Sequence, residues 1–193
     1  MPGPIRFNSA DLAALPDPPD GTRYELIDGE LLVSRPLHWA HQYTGASIGA
    51  ALHRWNCHSR AGVANIAPGL IVDDENQVAP DVVWISHARL AQGLEPDGKL
   101  HAAPELAIEI LSPGSANERR DRELKLKLYS RIGVAEYWIA DWCTRTVQVY
   151  RRRADGDLQL AATLAEDDAL ASPLLPGFTL PIGDLWEPFG TVE

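Results

Sequence analysis

Apolar positions keep helical spacing in a few stretches and strand spacing in most of the rest. Ser9 is placed to cap a short helix, ADLAAL, that Pro16 ends. RYELI and ELLVS flank Asp28-Gly29, a pair that closes a type I′ turn, so the segment reads as a hairpin that Pro36 breaks. PDPPDG ahead of it reads as a linker. From Trp39 to Arg60 no proline intervenes, and Ile48, Ala51, Leu52 and Trp55 follow helical spacing, with Gly62 as the expected C-terminal cap. VANIAPGLIV reads as a strand, DDENQ as the turn after it, and VAPDVVWIS as a strand with Asp81 near its start. A loop with a short helix follows through Gly93 and Pro96-Asp97-Gly98. ELAIEIL, at 105–111, is apolar on both sides apart from its acids, which suits a central strand covered on both faces. Ser115 and Glu118 form a capping box for a helix over about 116–132 that stops at Gly133. EYWIAD, TVQVYRRR and LQLAATL are further strands, and SPLLPGFTLPIGDLW an extended segment with a short helical turn. This order predicts an α/β (α+β) fold: a central mixed β-sheet flanked by helices, with an N-terminal β-hairpin.

Composition narrows the class. A length of 193 residues predicts a single domain over 1–193, and 45% hydrophobic with 23% charged residues excludes disordered and collagen-like chains. Cys57 and Cys143 cannot build a disulfide framework; they are expected as small core-filling side chains in a reducing compartment. MPGPIRFNSADL lacks a basic-then-apolar leader, and no apolar run reaches the ~18 residues of a membrane span. The expectation is a cytoplasmic protein with no membrane partner. The net charge of −10 disfavours non-specific nucleic-acid binding. That charge is uneven, however: residues 118–153 carry ten Lys or Arg against five Asp or Glu. Such a region either faces a polyanion or is simply a solvated helix face with an edge strand.

Candidate chemistry gathers at Asp81, at Glu109 inside AIEIL, and at Lys125 on the following helix. A carboxylate between Ile108 and Ile110 is costly to bury unless it is paired or binds a metal. Two carboxylates on neighbouring strands are the hard oxygen ligands that Mg²⁺ (or Mn²⁺) takes, and the Ile110 carbonyl adds a third oxygen. A nearby lysine stabilises charge building up on a phosphoryl transition state or positions a water. Plainer roles exist for each: Asp81 capping a turn, Glu109 pairing with an arginine across the sheet, Lys125 solvated on a helix. Asp121, Lys125 and Tyr129, at i, i+4 and i+8, share one helix face. Trp84, Trp138 and Trp142 lie in or beside strands and read as core. No zinc motif, Walker lysine pattern or nucleophile elbow is present.

YELIDGEL, PLHWAHQ, APDVVWIS, PELAIEILSP, RDRELKLKLYSRIGVAEYWIAD, VQVY and SPLLPGFTLPIGDLW, in that order, resemble the restriction-endonuclease-like family called domain of unknown function 820. That family belongs to the PD-(D/E)XK nuclease superfamily, and the resemblance covers about residues 22–187. It implies a restriction-endonuclease-like core and a divalent-metal site with Asp81 as the PD aspartate and Glu109 as the glutamate of the E-x-K segment. The chain departs from the superfamily in having Ile110-Leu111 after Glu109, so that the E-x-K lysine is missing there. The family resemblance puts the lysine on the next helix, at Lys125, with Lys127 as the alternative. Those two positions point about 200° apart on an α-helix, so only one of them faces a metal. Ala40 stands where relatives often carry a glutamate before His41. Glu25, His41 and Asp121 are secondary candidates, and Arg119, Arg120 and Arg122 are candidates for steering a DNA backbone. The expected function is a Mg-dependent endonuclease acting on DNA as a homodimer, with edge strands such as VQVYRR available for association. The alternatives are an inactive nuclease-fold binding module, or a phosphodiesterase acting on RNA or a small nucleotide.

Overall fold

A computed structural model describes residues 5–16, 22–34 and 38–186. Helix α1 (Ser9–Ala14) is capped by Asn8 rather than Ser9. The Asn8 side chain accepts the N–H groups of Ala10 and Asp11, and Asp11 returns a bond to Asn8, while the Ser9 hydroxyl turns away to Asp74. Strands β1 (Arg23–Ile27) and β2 (Glu30–Ser34) form the expected hairpin. Its turn has φ of +49° at Asp28 and +72° at Gly29, the two positive values that a type I′ turn requires. The PDPPDG linker (Pro16 apart) and the break at Pro36 lie outside the described residues.

Helix α2 (Trp39–Ser59) ends on Arg60 in the left-handed conformation, two residues before the expected cap. Gly62 instead opens β3 (Gly62–Ile66), where a Cβ would sit 2.1 Å from the Ile85 carbonyl oxygen. Its role is close backbone approach, not capping. Ala67, with φ of +48°, breaks VANIAPGLIV into β3 and β4 (Leu70–Asp73), which belong to different sheets. VAPDVVWIS divides likewise, because β5 (Asn76–Val78) joins the sheet of β4 and β6 (Val82–Ser86) joins that of β3. Asp81 occupies the joint between them. Helix α3 (His87–Gly93) leads to β7 (Leu106–Ile110), buried along its whole length.

The long helix is three pieces: α4 (Ser115–Arg119), a π-helical segment (Arg120–Lys125) and α5 (Leu126–Ile132), ended by Gly133 at φ +94°. The Ser115–Glu118 capping box does not form, because Ser115 is already helical and Gly114 takes the cap position without a side chain to offer. Strands β8 (Glu136–Asp141), β9 (Thr146–Arg152) and β10 (Leu158–Leu164) follow. The described chain closes with the short pair β11 (Ala169–Leu170) and β12 (Leu180–Pro181) and a 3₁₀ turn (Ile182–Leu185).

The main sheet is mixed, in the order β10-β9-β8-β7-β6-β3. Only the β7–β8 pair is parallel, joined by the long helix. β9, expected at an edge, is internal; β10 covers it. The hairpin joins a second sheet, β2-β1-β5-β4. One face of the main sheet, with Trp84, Ile108 and Trp138, packs on Ile48 and Leu52 of α2 and on Phe178 and Leu185. The other, with Val83, Ala107 and Ile139, packs on Leu128 and Tyr129 of α5 and on Ile27, Leu70 and Val78 of the smaller sheet. Both cysteines are exposed, contrary to expectation, because Cys57 sits on the solvent side of the α2 terminus and Cys143 in the turn after β8. No described helix is long and apolar enough to cross a membrane.

Candidate functional site

The site lies where the parallel strands end and the joint between β5 and β6 meets them. The β6–β7 register ends with Val82 opposite Ile108, and Asp81, the residue before β6, reaches β7 through its side chain. Asp81 Oδ2 accepts the Ile110 N–H at 2.8 Å and lies 3.2 Å from His41 Nε2 on α2. Its Oδ1 is 3.9 Å from the Arg23 guanidinium. Burial works to raise the Asp81 pKa, but the hydrogen bond and charge of His41, the charge of Lys125 and the Ile110 N–H together hold it below the usual aspartate value.

Glu109 points toward the long helix. Tyr129 donates its hydroxyl to Oε1 at 2.7 Å, and Lys125 Nζ sits 3.0 Å from Oε2. Lys125 also pairs with Glu25 Oε1 at 2.9 Å, an oxygen that accepts the Ala79 N–H at 2.8 Å. The partner anticipated for Glu109, an arginine across the sheet, is therefore a lysine from the helix above it. Asp121 is fully buried against Arg120, with contacts of 2.7 and 2.9 Å, and Tyr137 donates to its backbone carbonyl. The π-helical turn brings Asp121 and Lys125 to the sheet together, and Tyr129 follows one turn on.

The cluster carries more negative charge than its cations balance. Burial first, then the charges of Asp81, Asp121 and Glu25, push the Glu109 pKa well above the usual value against the pull of Lys125. Asp121 is raised by burial despite Arg120 and Lys125. Burial alone would lower Lys125, but Glu109, Glu25 and Asp121 outweigh it and keep the amine protonated well above the usual lysine value. A buried, all-oxygen set with surplus negative charge fits a hard divalent cation. Among the described residues, no three His, Cys, Asp or Glu side chains form a ready-made ion cage. An ion here would take one or two carboxylates and complete its shell with waters and a substrate phosphate, the arrangement usual for Mg²⁺.

Beside Asp81 opens a pocket of about 70 Å³, lined among others by Arg23, His41, Gln42, Ala46 and Ile110. Near this end of α2, His41 Nδ1 and Thr44 Oγ1 are buried without a hydrogen-bond partner among the described residues. Of the other sequence candidates, Lys127 is exposed and faces away from the cluster. Arg119 pairs with Glu30 at 2.8 Å, and Arg122 reaches Asp141 at 3.4 Å and Gln148. Arg120 is turned inward, to Asp121 and to Ser34 at 2.6 Å, rather than presented to solvent. Arg23 and Tyr129 carried no assigned role in the sequence reading. Arg23 was findable: it stands two residues before Glu25 on one strand, so both face the same side.

A comparison with protein families matches residues 9–183 to Uma2, described as "Putative restriction endonuclease". The chain belongs to the Uma2 family. No curated protein matches it. Among solved structures, the chain is similar to one from Anabaena variabilis described as "a putative nuclease belonging to DUF820". That likeness has a TM-score of 0.71 at 19% identity, over 94% of this chain and 97% of the other. It shows that the Uma2 chain has the restriction-endonuclease-like fold, a mixed sheet between helices.

Proposed function

We propose that this Uma2 protein is a metal-dependent endonuclease that hydrolyses phosphodiester bonds of DNA, with Mg²⁺ (or Mn²⁺) held by Asp81, Glu109 and the Ile110 carbonyl. One observation carries the reading. Glu109 is 1% exposed on a central strand, held by Tyr129 and Lys125, in a cluster with surplus negative charge beside Asp81. A buried acid of this kind costs stability, and a cation-dependent task explains its place. When bound, the ion supplies Lewis-acid polarisation of the phosphate and a more acidic water.

The side chains divide the remaining work. Lys125 stays protonated, so it acts as a donor toward charge developing on the phosphoryl oxygens rather than as a base. Tyr129 fixes the rotamer of Glu109, and His41 and the Ile110 N–H fix that of Asp81. Arg23, at the mouth of the pocket, meets a phosphate entering beside Asp81. The protein acts as a homodimer that pairs through β10, a terminal strand of the main sheet among the described residues.

A second reading keeps the fold as a binding module. It is favoured by Lys125 already satisfying both Glu25 and Glu109. Cleavage of plasmid DNA with and without Mg²⁺ separates the two. The nuclease reading predicts Mg²⁺-dependent cutting that falls at least about a hundredfold in Asp81→Asn and Lys125→Met. Metal-independent cutting, or variants as active as the parent, would overturn it.

A further inference from the structure

We infer that the start of α2 forms an aromatic shelf that binds an unpaired nucleotide of the substrate, with Trp39 stacking on the base. The inference rests on the nuclease reading and deepens it, naming single-stranded or locally unpaired DNA as the substrate class.

Of the six tryptophans, Trp39 is the one left largely exposed, at 69%. Its place is set by the helix. Trp39, Gln42 and Ala46 follow one another at i, i+3 and i+7, so they share a face. Gln42 and Ala46 line the pocket beside Asp81. The indole therefore stands one helical turn beyond the pocket mouth. A second contact ties the same helix end to the site: His38, the cap of α2, stacks on Trp142 with ring centroids 4.7 Å apart and planes 4° from parallel. Trp142 follows β8, whose end lies beside the end of β7 in the parallel pair. The shelf and the carboxylates thus occupy one end of the sheet.

Charge argues for the same substrate class. Gripping a duplex takes several free cations along its phosphates. Arg119, Arg120 and Arg122 are each held in contacts with Glu30, Asp121 or Asp141, and the chain as a whole is at −10. Arg23, 39% exposed at the pocket mouth and paired with Asp81 only at 3.9 Å, offers one cation for one phosphate. Within a duplex the faces of the bases are already stacked on one another, whereas an unpaired base has a face free for an aromatic ring. A shelf of one indole beside a pocket with one arginine matches a single nucleotide leaving the stack.

The test is fluorescence anisotropy of a labelled oligodeoxythymidylate and of a blunt duplex of equal length, with EDTA present so that nothing is cut. The full chain is expected to bind the single strand about tenfold more tightly than the duplex. Trp39→Ala should erase that difference, and Trp39→Phe should keep most of it. Equal or tighter binding of the duplex, a Trp39→Ala protein that binds the single strand as the parent does, or no single-strand binding at all would overturn the shelf. The two claims fail separately. Trp39-dependent binding without any metal-dependent cleavage removes the nuclease reading and leaves the shelf. Duplex cleavage indifferent to Trp39 does the reverse.

Discussion

Lys125 is the single side chain on which the buried cluster balances. It is 1% exposed and bridges Glu25 and Glu109 at 2.9 and 3.0 Å. Lys125→Met leaves two buried carboxylates without a cation, which costs about 3–5 kcal/mol. In a chain of this length that lowers the melting temperature by roughly 10 °C, measurable by calorimetry. Glu109→Gln acts in the opposite sense. The ionised carboxylate is disfavoured by burial and by its acidic neighbours, so the neutral amide should leave the fold at least as stable near neutral pH while abolishing Mn²⁺ binding in a calorimetric titration. From acid to neutral pH the dependence follows from raised pKa values at Glu109 and Asp121 set against a lowered one at Asp81. Glu109 has a raised folded-state pKa, so folding takes up a proton, and stability rises as pH falls from the alkaline side through that raised value toward the ordinary glutamate range. Asp81 has a depressed one, so its contribution is complete above the ordinary aspartate range and is lost as pH falls through the folded value. Melting temperature against pH should therefore peak in mildly acidic solution. Glu109→Gln should flatten the alkaline side of that curve, and Asp81→Asn the acidic side.

The π-helical segment explains why the functional face of the long helix was only partly legible. Spacing alone placed Asp121, Lys125 and Tyr129 on one face and set Lys127 on another, and in the structure the first three are buried while Lys127 is exposed. What spacing could not give was the inward turn of Arg120 beside Asp121, since a π turn has no sequence signature at this level and follows from packing. Deleting Glu123, an exposed residue of that turn, should restore a regular α-helix. Circular dichroism should then show retained helix, with Lys125 swung off Glu109 and cleavage lost; unchanged cleavage would show that the π turn does not position the lysine. Strand divisions were missed for a related reason. VANIAPGLIV and VAPDVVWIS are continuous as apolar patterns, and the break at Ala67 and the joint at Asp81 come from the demand of two separate sheets.

Across the molecule, the order of elements and the central, doubly covered strand at 106–110 were readable because burial on both faces leaves an unbroken apolar run. Sheet neighbours were not, and the assignment of VQVYRR to an edge failed because β10 pairs outside it. The β10 edge, terminal in the main sheet among the described residues and with Leu160 50% exposed, is the proposed surface for a homodimer. Light scattering should give a dimer mass that Leu160→Lys converts to a monomer, and a monomer for the parent chain would remove that assembly. The central claim is that Asp81 and Glu109 share one divalent ion, and anomalous diffraction from crystals soaked in Mn²⁺ tests it most directly. The account predicts a single strong peak within bonding distance of both carboxylates, absent in Asp81→Asn. A soaked crystal with no peak there, or with Lys125 still bridging Glu25 and Glu109 and the manganese elsewhere, would contradict it.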